Sequence, residues 1–141
     1  MKILGVDYGD RRIGLSISDE LSIIVHGLPL LEISYMEEGV EQVVSIATEK
    51  NVDEIVVGLP KNMNNTIGER AKIVLDFVEK LKTCVNIPVV TWDERLTTIQ
   101  AGQMLSDVKM THSQKKRHLN TVSAQIILQS YLDAKKRTNK I

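Results

Sequence analysis

Cysteine occurs once, at Cys84, so no disulfide closes within these 141 residues. A fold that depends on covalent staples is therefore excluded. Aromatic residues are almost as scarce, with one Trp, three Tyr and one Phe. With so few large rings, Val, Ile and Leu must fill whatever core the 43% hydrophobic content builds. No apolar run approaches the roughly 20 residues that a membrane helix needs. Met1-Lys2 leads directly into an apolar run, which leaves no room for a signal peptide. A cytoplasmic protein with no membrane partner is the expectation. Net charge is absent as well, with 18 Lys plus Arg against 18 Asp plus Glu. That balance argues against a protein that wraps nucleic acid by bulk electrostatics. The chain also lacks internal repeats, low-complexity stretches and linkers. Its length suits one ordinary domain, and residues 1–141 are expected to form a single unit.

What the chain does have is a regular succession of apolar runs. Residues 2–8 and 12–18 predict two strands around a turn at Gly9, and residues 24–33, "IVHGLPLLEI", a third. Pro29 assigns that third strand to an edge or a bulge, because proline donates no ladder hydrogen bond. "SYME" at 34–37 has the capping-box pattern of Ser34 followed by Glu37, and Val40, Val43, Val44 and Ala47 then recur at helical spacing. "EIVVGLP" is an uninterrupted apolar strand, expected at the centre of a sheet. "TIGE" at 66–69 predicts a second helix with Ala71, Val74, Val78 and Leu81 inward. "IPVVTWDER" predicts a fifth strand that ends in charge, and "TTIQ" at 97–100 gives a third capping signal. A last helix carries Ala124, Ile127, Leu128 and Tyr131 on one face. Strands one to three are closely linked and expected to be antiparallel. Strands four and five follow crossover helices and should run parallel to strand one. The expected architecture is an α/β fold with a mixed five-stranded sheet flanked by helices.

In such sheets ligands bind beyond the carboxyl ends of the parallel strands. Three segments converge there: Asp7 after strand one, "GLPKNMNN" after strand four and "DER" after strand five. Asp7 is either a turn residue or a carboxylate placed for metal binding or catalysis. Its position at the end of the most apolar N-terminal run favours the second, since an isolated buried charge is very costly. Gly9 suits a tight turn and a close approach of phosphate to the backbone. Strand alternation sends Asp93 and Glu94 to opposite sides, so at most one of the two shares a site with Asp7. The loop after strand four leads into a helix start, whose free N–H groups suit phosphate, and Lys61 and Asn64 add donors. Taken alone, that loop is equally an ordinary connection. "KMTHSQKKRHLN" at 109–120 is a basic segment expected to precede the last helix and to be mobile; it reads either as solvated surface or as a contact for a nucleic-acid backbone. Asn120, on the inward stripe with Ala124 and Ile127, is either a helix cap or a neutral metal ligand. Two carboxylates beside phosphate-suited loops point to metal-assisted phosphodiester hydrolysis, since a divalent cation removes their repulsion and activates water. Oxygen ligands select Mg²⁺ or Mn²⁺ over zinc.

Four blocks, "ILGVDYGDRRIGLSISDE", "VVGLPKNMNNTIGERA", "VVTWDERLTTIQA" and "SAQIILQSYLD", together resemble the YqgF family of bacterial proteins. The resemblance covers nearly the whole chain, in order and with matching gaps. It implies a ribonuclease H-like fold with strand order 3-2-1-4-5. It also implies an endonuclease for the 5′-end of pre-16S ribosomal RNA, working in ribosome biogenesis. Some family members are called Holliday junction resolvases. Carried over by resemblance, the first-strand acid falls on Asp7, and the strand-five motif on Asp93, Glu94 and Arg95, with Glu94 favoured as the site carboxylate. The third family acid falls on Asn120, so this chain brings one negative charge fewer to a catalytic and metal-binding set of Asp7, Glu94 and Asn120. Substrate contacts are expected from Arg11, Arg12, Lys61, Asn64, Arg95, Lys115, Lys116 and Arg117.

The leading expectation is an Mg²⁺- or Mn²⁺-dependent nuclease acting on structured RNA, with pre-ribosomal particles as partners and a monomeric or homodimeric state. A Holliday junction resolvase acting on branched DNA is the alternative, and it requires a dimer, because it cuts two strands symmetrically. A third reading, prompted by Asn120, is a catalytically weakened RNA-binding protein. A nucleotide-binding reading also arises, because Asp-x-Gly after a first strand opens the phosphate loops of actin-like kinases. Those proteins clamp nucleotide between two such domains, and this chain supplies one.

Overall fold

The computed structural model describes residues 1–60, 67–93 and 112–139, and for 112–121 and 136–139 it describes the backbone alone. In chain order the elements are β1 (Ile3–Tyr8), β2 (Arg12–Ser18), β3 (Val25–Glu32), α1 (Met36–Glu49), β4 (Glu54–Leu59), α2 (Glu69–Cys84), β5 (Val89–Asp93) and α3 (His112–Asn139). The sheet order is β3-β2-β1-β4-β5. β1 pairs antiparallel with β2 and parallel with β4, and β5 runs parallel to β4. β3 is an edge strand, as Pro29 requires, and its pairing with β2 shifts register between Ile13 and Leu15. β4 lies between two parallel neighbours and is buried throughout, which is why it reads as an unbroken apolar run.

Strand alternation divides the core into two layers. Leu4, Val6 and Tyr8 of β1 and Ile55, Val57 and Leu59 of β4 face α1 and α2, where they pack on Val43, Val74, Phe77 and Leu81. The opposite face presents Ile3 and Val56 to Ile127, Leu128 and Leu132 of α3, with Val90, Trp92 and Tyr131 packed beside them. Four of the five aromatic rings sit in the two layers, and Tyr35 is exposed. Tyr8 stacks on Phe77 at 4.2 Å between centroids, and Trp92 meets Tyr131 edge-on at 5.4 Å.

Three local expectations change. α1 starts at Met36, one residue later than a Ser34 cap implies, and Tyr35 occupies the N-cap without a side-chain bond. The reaching-back carboxylate is therefore Glu38, whose Oε1 accepts from the Ser34 N–H at 2.6 Å. Glu37 is left to bind Lys80 at 2.9 Å, which ties α1 to α2. α2 starts after Gly68 rather than after a Thr66 cap, and Thr66 itself lies outside the described residues. α3 begins at His112, so residues 112–120 belong to the helix instead of preceding it. Gln, Lys and Arg are good helix formers, and no Gly or Pro interrupts this stretch. Position 120 is thus interior to a helix, which removes the cap reading of Asn120. The third capping signal, at 97–100, lies outside the described residues.

Candidate active site

Along β1, Ile3, Gly5 and Asp7 alternate onto the side of the sheet that faces α3, and the first two are covered by that helix. Asp7 lies opposite Gly14 of β2. On the other side, one position beyond the Val6–Val57 pair, stands Gly58, which in turn pairs with Trp92. The two strand neighbours of Asp7 therefore contribute no side chains to its surroundings. Asp7 keeps a partly exposed edge, yet burial pushes its carboxyl up from the usual carboxylate range to about 7, against the opposing pull of Arg70. A crowded carboxylate of this kind, with hard oxygen donors, suits a divalent cation that would remove the cost of its charge.

Arg70, in the first turn of α2, is the site element that pattern reading misses. Its Nη2 donates to the Tyr8 carbonyl at 2.6 Å and its Nη1 to Asp10 Oδ1 at 2.8 Å. Its guanidinium also lies over the Tyr8 ring at 5.8 Å from the centroid. One side chain thus clasps the turn that follows Asp7. The only signal for it in the sequence is a cation in the first turn of a helix, where the macrodipole disfavours positive charge. Gly9 serves this turn by close approach: a Cβ there would lie 2.5 Å from the Arg12 carbonyl, and its φ is not positive.

At the end of β5, Trp92 is on the α3 side, with its Nε1 donating to Ser130 Oγ at 3.0 Å. Asp93 alternates to the α2 side. Glu94, Arg95, Lys61 and Asn64 lie outside the described residues, so the structure does not place them. Asn120, Lys115, Lys116 and Arg117 lie on the N-terminal half of α3, with only their backbone described. Arg11 and Arg12 line a pocket of about 340 Å³ with Glu32, Ile33, Ser34 and Glu38, where the β1–β2 turn meets the start of α1. Among the described residues no three acidic, histidine or cysteine side chains cluster as a metal set. Of the expected metal ligands, Asp7 alone has a described side chain.

The family model for RuvX, described as Holliday junction resolvase, matches residues 1–134. A protein of Caldanaerobacter subterraneus subsp. tengcongensis, named "Putative pre-16S rRNA nuclease", is 44% identical over 139 residues, which are 98% of this chain and 100% of that protein. A protein of Desulforamulus reducens with the same name is 39% identical over 134 residues, 95% of this chain and 98% of that one. Among solved structures, Thermus thermophilus RuvC in complex with a Holliday junction substrate superposes with a TM-score of 0.64 at 15% identity, covering 98% of both chains. The fowlpox virus resolvase, in complex with Holliday junction DNA, superposes at 0.55 with 16% identity, covering 95% of this chain and 98% of that one. At such identities these two matches speak for the fold, which is the ribonuclease H-like fold of the resolvases. With the family model running through all eight elements, and two relatives aligned almost end to end, the chain belongs to the RuvX family.

Proposed function

We propose that the chain is a divalent-metal-dependent endonuclease that matures the 5′-end of pre-16S ribosomal RNA in the cytoplasm. The observation that carries this reading is Asp7: a desolvated carboxylate at the carboxyl end of a central strand, in a chain 44% identical to a protein named "Putative pre-16S rRNA nuclease". Asp7, Glu94 and Asn120 would hold the cation. Three points support the set. Asp7 and Trp92 share a sheet face, and the resemblance of the strand-five motif favours Glu94, which itself lies outside the described residues, as the second carboxylate. Position 120 lies one turn before Ala124, which packs over Gly5, two residues before Asp7. Asn is also a poor residue for a helix interior, which gives its place in the middle of α3 a reason other than helix stability.

Bound there, Mg²⁺ or Mn²⁺ supplies Lewis-acid polarisation of the scissile phosphate and an activated water. The residues of the chain do the rest. Asp7 must lose its proton before it can bind the cation, and Arg70 lowers the cost of that loss. Arg70 also holds the turn after Asp7 and so fixes the direction of the carboxylate. Lys115, Lys116 and Arg117 on α3, with Arg95, Lys61 and Asn64, bind backbone phosphates and keep the strand over the site. Arg11 and Arg12 extend this contact past the β1–β2 turn. Pre-ribosomal particles are the partner in which the RNA end is presented.

The test is purified protein with labelled pre-16S RNA and with branched DNA, each with and without Mn²⁺. Metal-dependent shortening of the RNA at its 5′-end is expected. Symmetric cleavage of the junction alone would replace this reading by resolution of branched DNA, the activity in the family's description. RNA binding without cleavage at any metal concentration would leave a binding protein that lacks the third acid.

A further inference from the structure

The face of α3 that meets the sheet is pinned at several points, and they differ in kind. Toward its C-terminal end the Tyr131 hydroxyl donates to Glu54, and Lys135 approaches the same carboxylate at 3.5 Å. Trp92 Nε1 binds Ser130, adjacent to Tyr131 in the same turn of the helix. Glu54 pairs with Ile3 at the beginning of the sheet, far from Asp7 along β1. The pin nearest Asp7 is Ser16, whose buried hydroxyl donates to the Ala124 carbonyl at 2.7 Å. Ser16 pairs with Gly5, and the two form a notch into which the helix settles. A Cβ at Gly5 would stand 2.5 Å from Ser16 Oγ, 2.9 Å from Leu128 Cβ and 3.1 Å from the Ala124 carbonyl. No room is left there for the helix to move closer, and the hydroxyl keeps it from moving away.

The rises of strand and helix match across this notch. Ala124 sits over Gly5 and Tyr131 beside Glu54, so α3 runs opposite to β1 and its N-terminal half leads toward Asp7. From Gly5 to Asp7 the strand advances about 7 Å. From Ala124 back to position 120 the helix advances about 6 Å. An error in the height or rotation of α3 at Ala124 is therefore carried directly to position 120. The Ser16 bond is also an addition to the helix rather than a repair. A carbonyl in a helix interior already has the N–H four residues on as its partner. The hydroxyl thus locates the helix without being needed to satisfy it.

We propose that Ser16 is a positioning residue: bonded to Ala124 in the notch at Gly5, it fixes the N-terminal half of α3, and position 120 with it, at working distance from Asp7. The catalytic consequence rests on the metal-site reading above. The mechanical consequence does not.

Ser16→Ala removes the donor, leaves no buried polar atom unpaired and keeps the Gly5 notch open. Gly5→Ala pushes the helix out from the same point. Tyr131→Phe loosens the far end and serves as the comparison. Three quantities are measured on the full chain: amide hydrogen exchange along α3, Mn²⁺ affinity by spin-resonance titration, and kcat and KM for RNA cleavage. Ser16→Ala is expected to speed exchange in residues 112–121 more than in 125–135, with Tyr131→Phe showing the reverse order. Mn²⁺ affinity should fall by up to about five-fold, the limit set by one missing hydrogen bond. The value of kcat should fall by about ten-fold or more with KM little changed, since misplacement at a reacting centre is felt in the chemical step. Melting should fall by a few degrees at most, and a merely structural role would show that fall with the last two readouts unmoved. Parent-like exchange in 112–121 together with parent-like Mn²⁺ affinity in Ser16→Ala overturns the proposal, whatever Gly5→Ala does. A parent protein that neither binds Mn²⁺ nor cuts RNA overturns the metal-site reading instead, and the exchange comparison still decides whether Ser16 holds the helix.

Discussion

In the proposed site the proton of the Asp7 carboxyl competes with the cation. Burial raises its pKa to about 7 in the folded chain, whereas an unfolded aspartate titrates near 3.8. A raised folded pKa favours the protonated folded form, so the associated stability is complete below about pH 4. It is lost as pH rises toward 7. Asp7→Asn carries no such cost. Without metal, the variant should match the parent in acid and melt higher above pH 7, while cutting nothing at any pH. Thermal melts at pH 3.5, 6 and 8 in chelator, read beside cleavage assays, check both halves; a parent that gains stability over Asp7→Asn between pH 4 and 8 would contradict the burial argument. Metal competes with the same proton, so Mn²⁺ affinity of the parent should rise up to about pH 7 and then level off.

Asn120 raises the complementary question at the same scale. If it belongs to the metal set, the site has one carboxylate fewer than the family pattern implies. Asn120→Asp should tighten Mg²⁺ binding and raise cleavage most at low metal. It should also cost a little stability in chelator, because carboxylates brought together repel. Since position 120 is interior to α3, cap chemistry offers no competing explanation for such a change. Equal Mg²⁺ affinities for the two proteins, measured by calorimetry, would remove Asn120 from the site.

At the level of the elements, the sheet is legible in the sequence because its signals are repetitive. The apolar run of β1, the unbroken apolar β4 and the proline of β3 each mark a strand, the crossovers give the direction of β4 and β5, and the strand order comes from the family resemblance. Helix starts are less legible. Capping patterns locate a boundary to within a residue or two, and a one-residue shift at α1 transfers the capping carboxylate from Glu37 to Glu38. Interactions that depend on tertiary approach leave little or no pattern. Arg70 on the Tyr8 carbonyl, Ser16 on Ala124, and the buried Glu54 beneath Tyr131 join residues 62, 108 and 77 positions apart. The extent of α3 is hidden because a basic stretch reads as surface, whereas Lys, Arg and Gln are also strong helix formers. The longer helix changes what the basic run can do: Lys115, Lys116 and Arg117 occupy successive backbone positions of a helix, about 100° apart around its axis. Changing all three to Ala should weaken RNA binding and reduce the slope of log affinity against log salt by up to about 0.7 to 0.9 for each phosphate no longer neutralised. Because the three positions are spread around the axis, the reduction is expected to be smaller than the sum for all three cations. An unchanged slope in a filter-binding series would assign the run to solvated surface.

For the whole molecule the decisive facts are the balance of charge and the form of the sheet edge. With 18 cationic and 18 anionic residues, the chain has no long-range field to draw it onto nucleic acid, and binding must rest on a local surface near the site. Junction resolution makes a further demand, since two symmetric cuts require two active sites in one particle. The strand edge that a second copy would most readily extend is β3, and it is poorly suited to the task. Pro29 interrupts its outward row of donors, and its register against β2 is already shifted. The large apolar side chains near that edge are Leu21, Ile23 and Ile24, in the connection between β2 and β3. Three aliphatic side chains are a small surface beside the roughly 800 Å² per partner that a stable interface buries. Through this edge, as far as the described residues go, no dimer is expected, and the chain should then sediment as a single copy at micromolar concentration and bind pre-16S RNA one to one. On branched DNA a monomer is expected to give unpaired nicks, if it cuts at all, because nothing couples the second cut to the first. Sedimentation velocity with and without each nucleic acid, combined with strand-resolved mapping of the cuts, examines both statements. A dimer on the junction with paired, symmetric cuts would show that the second site is recruited by the substrate, and would move the assignment from RNA maturation to resolution.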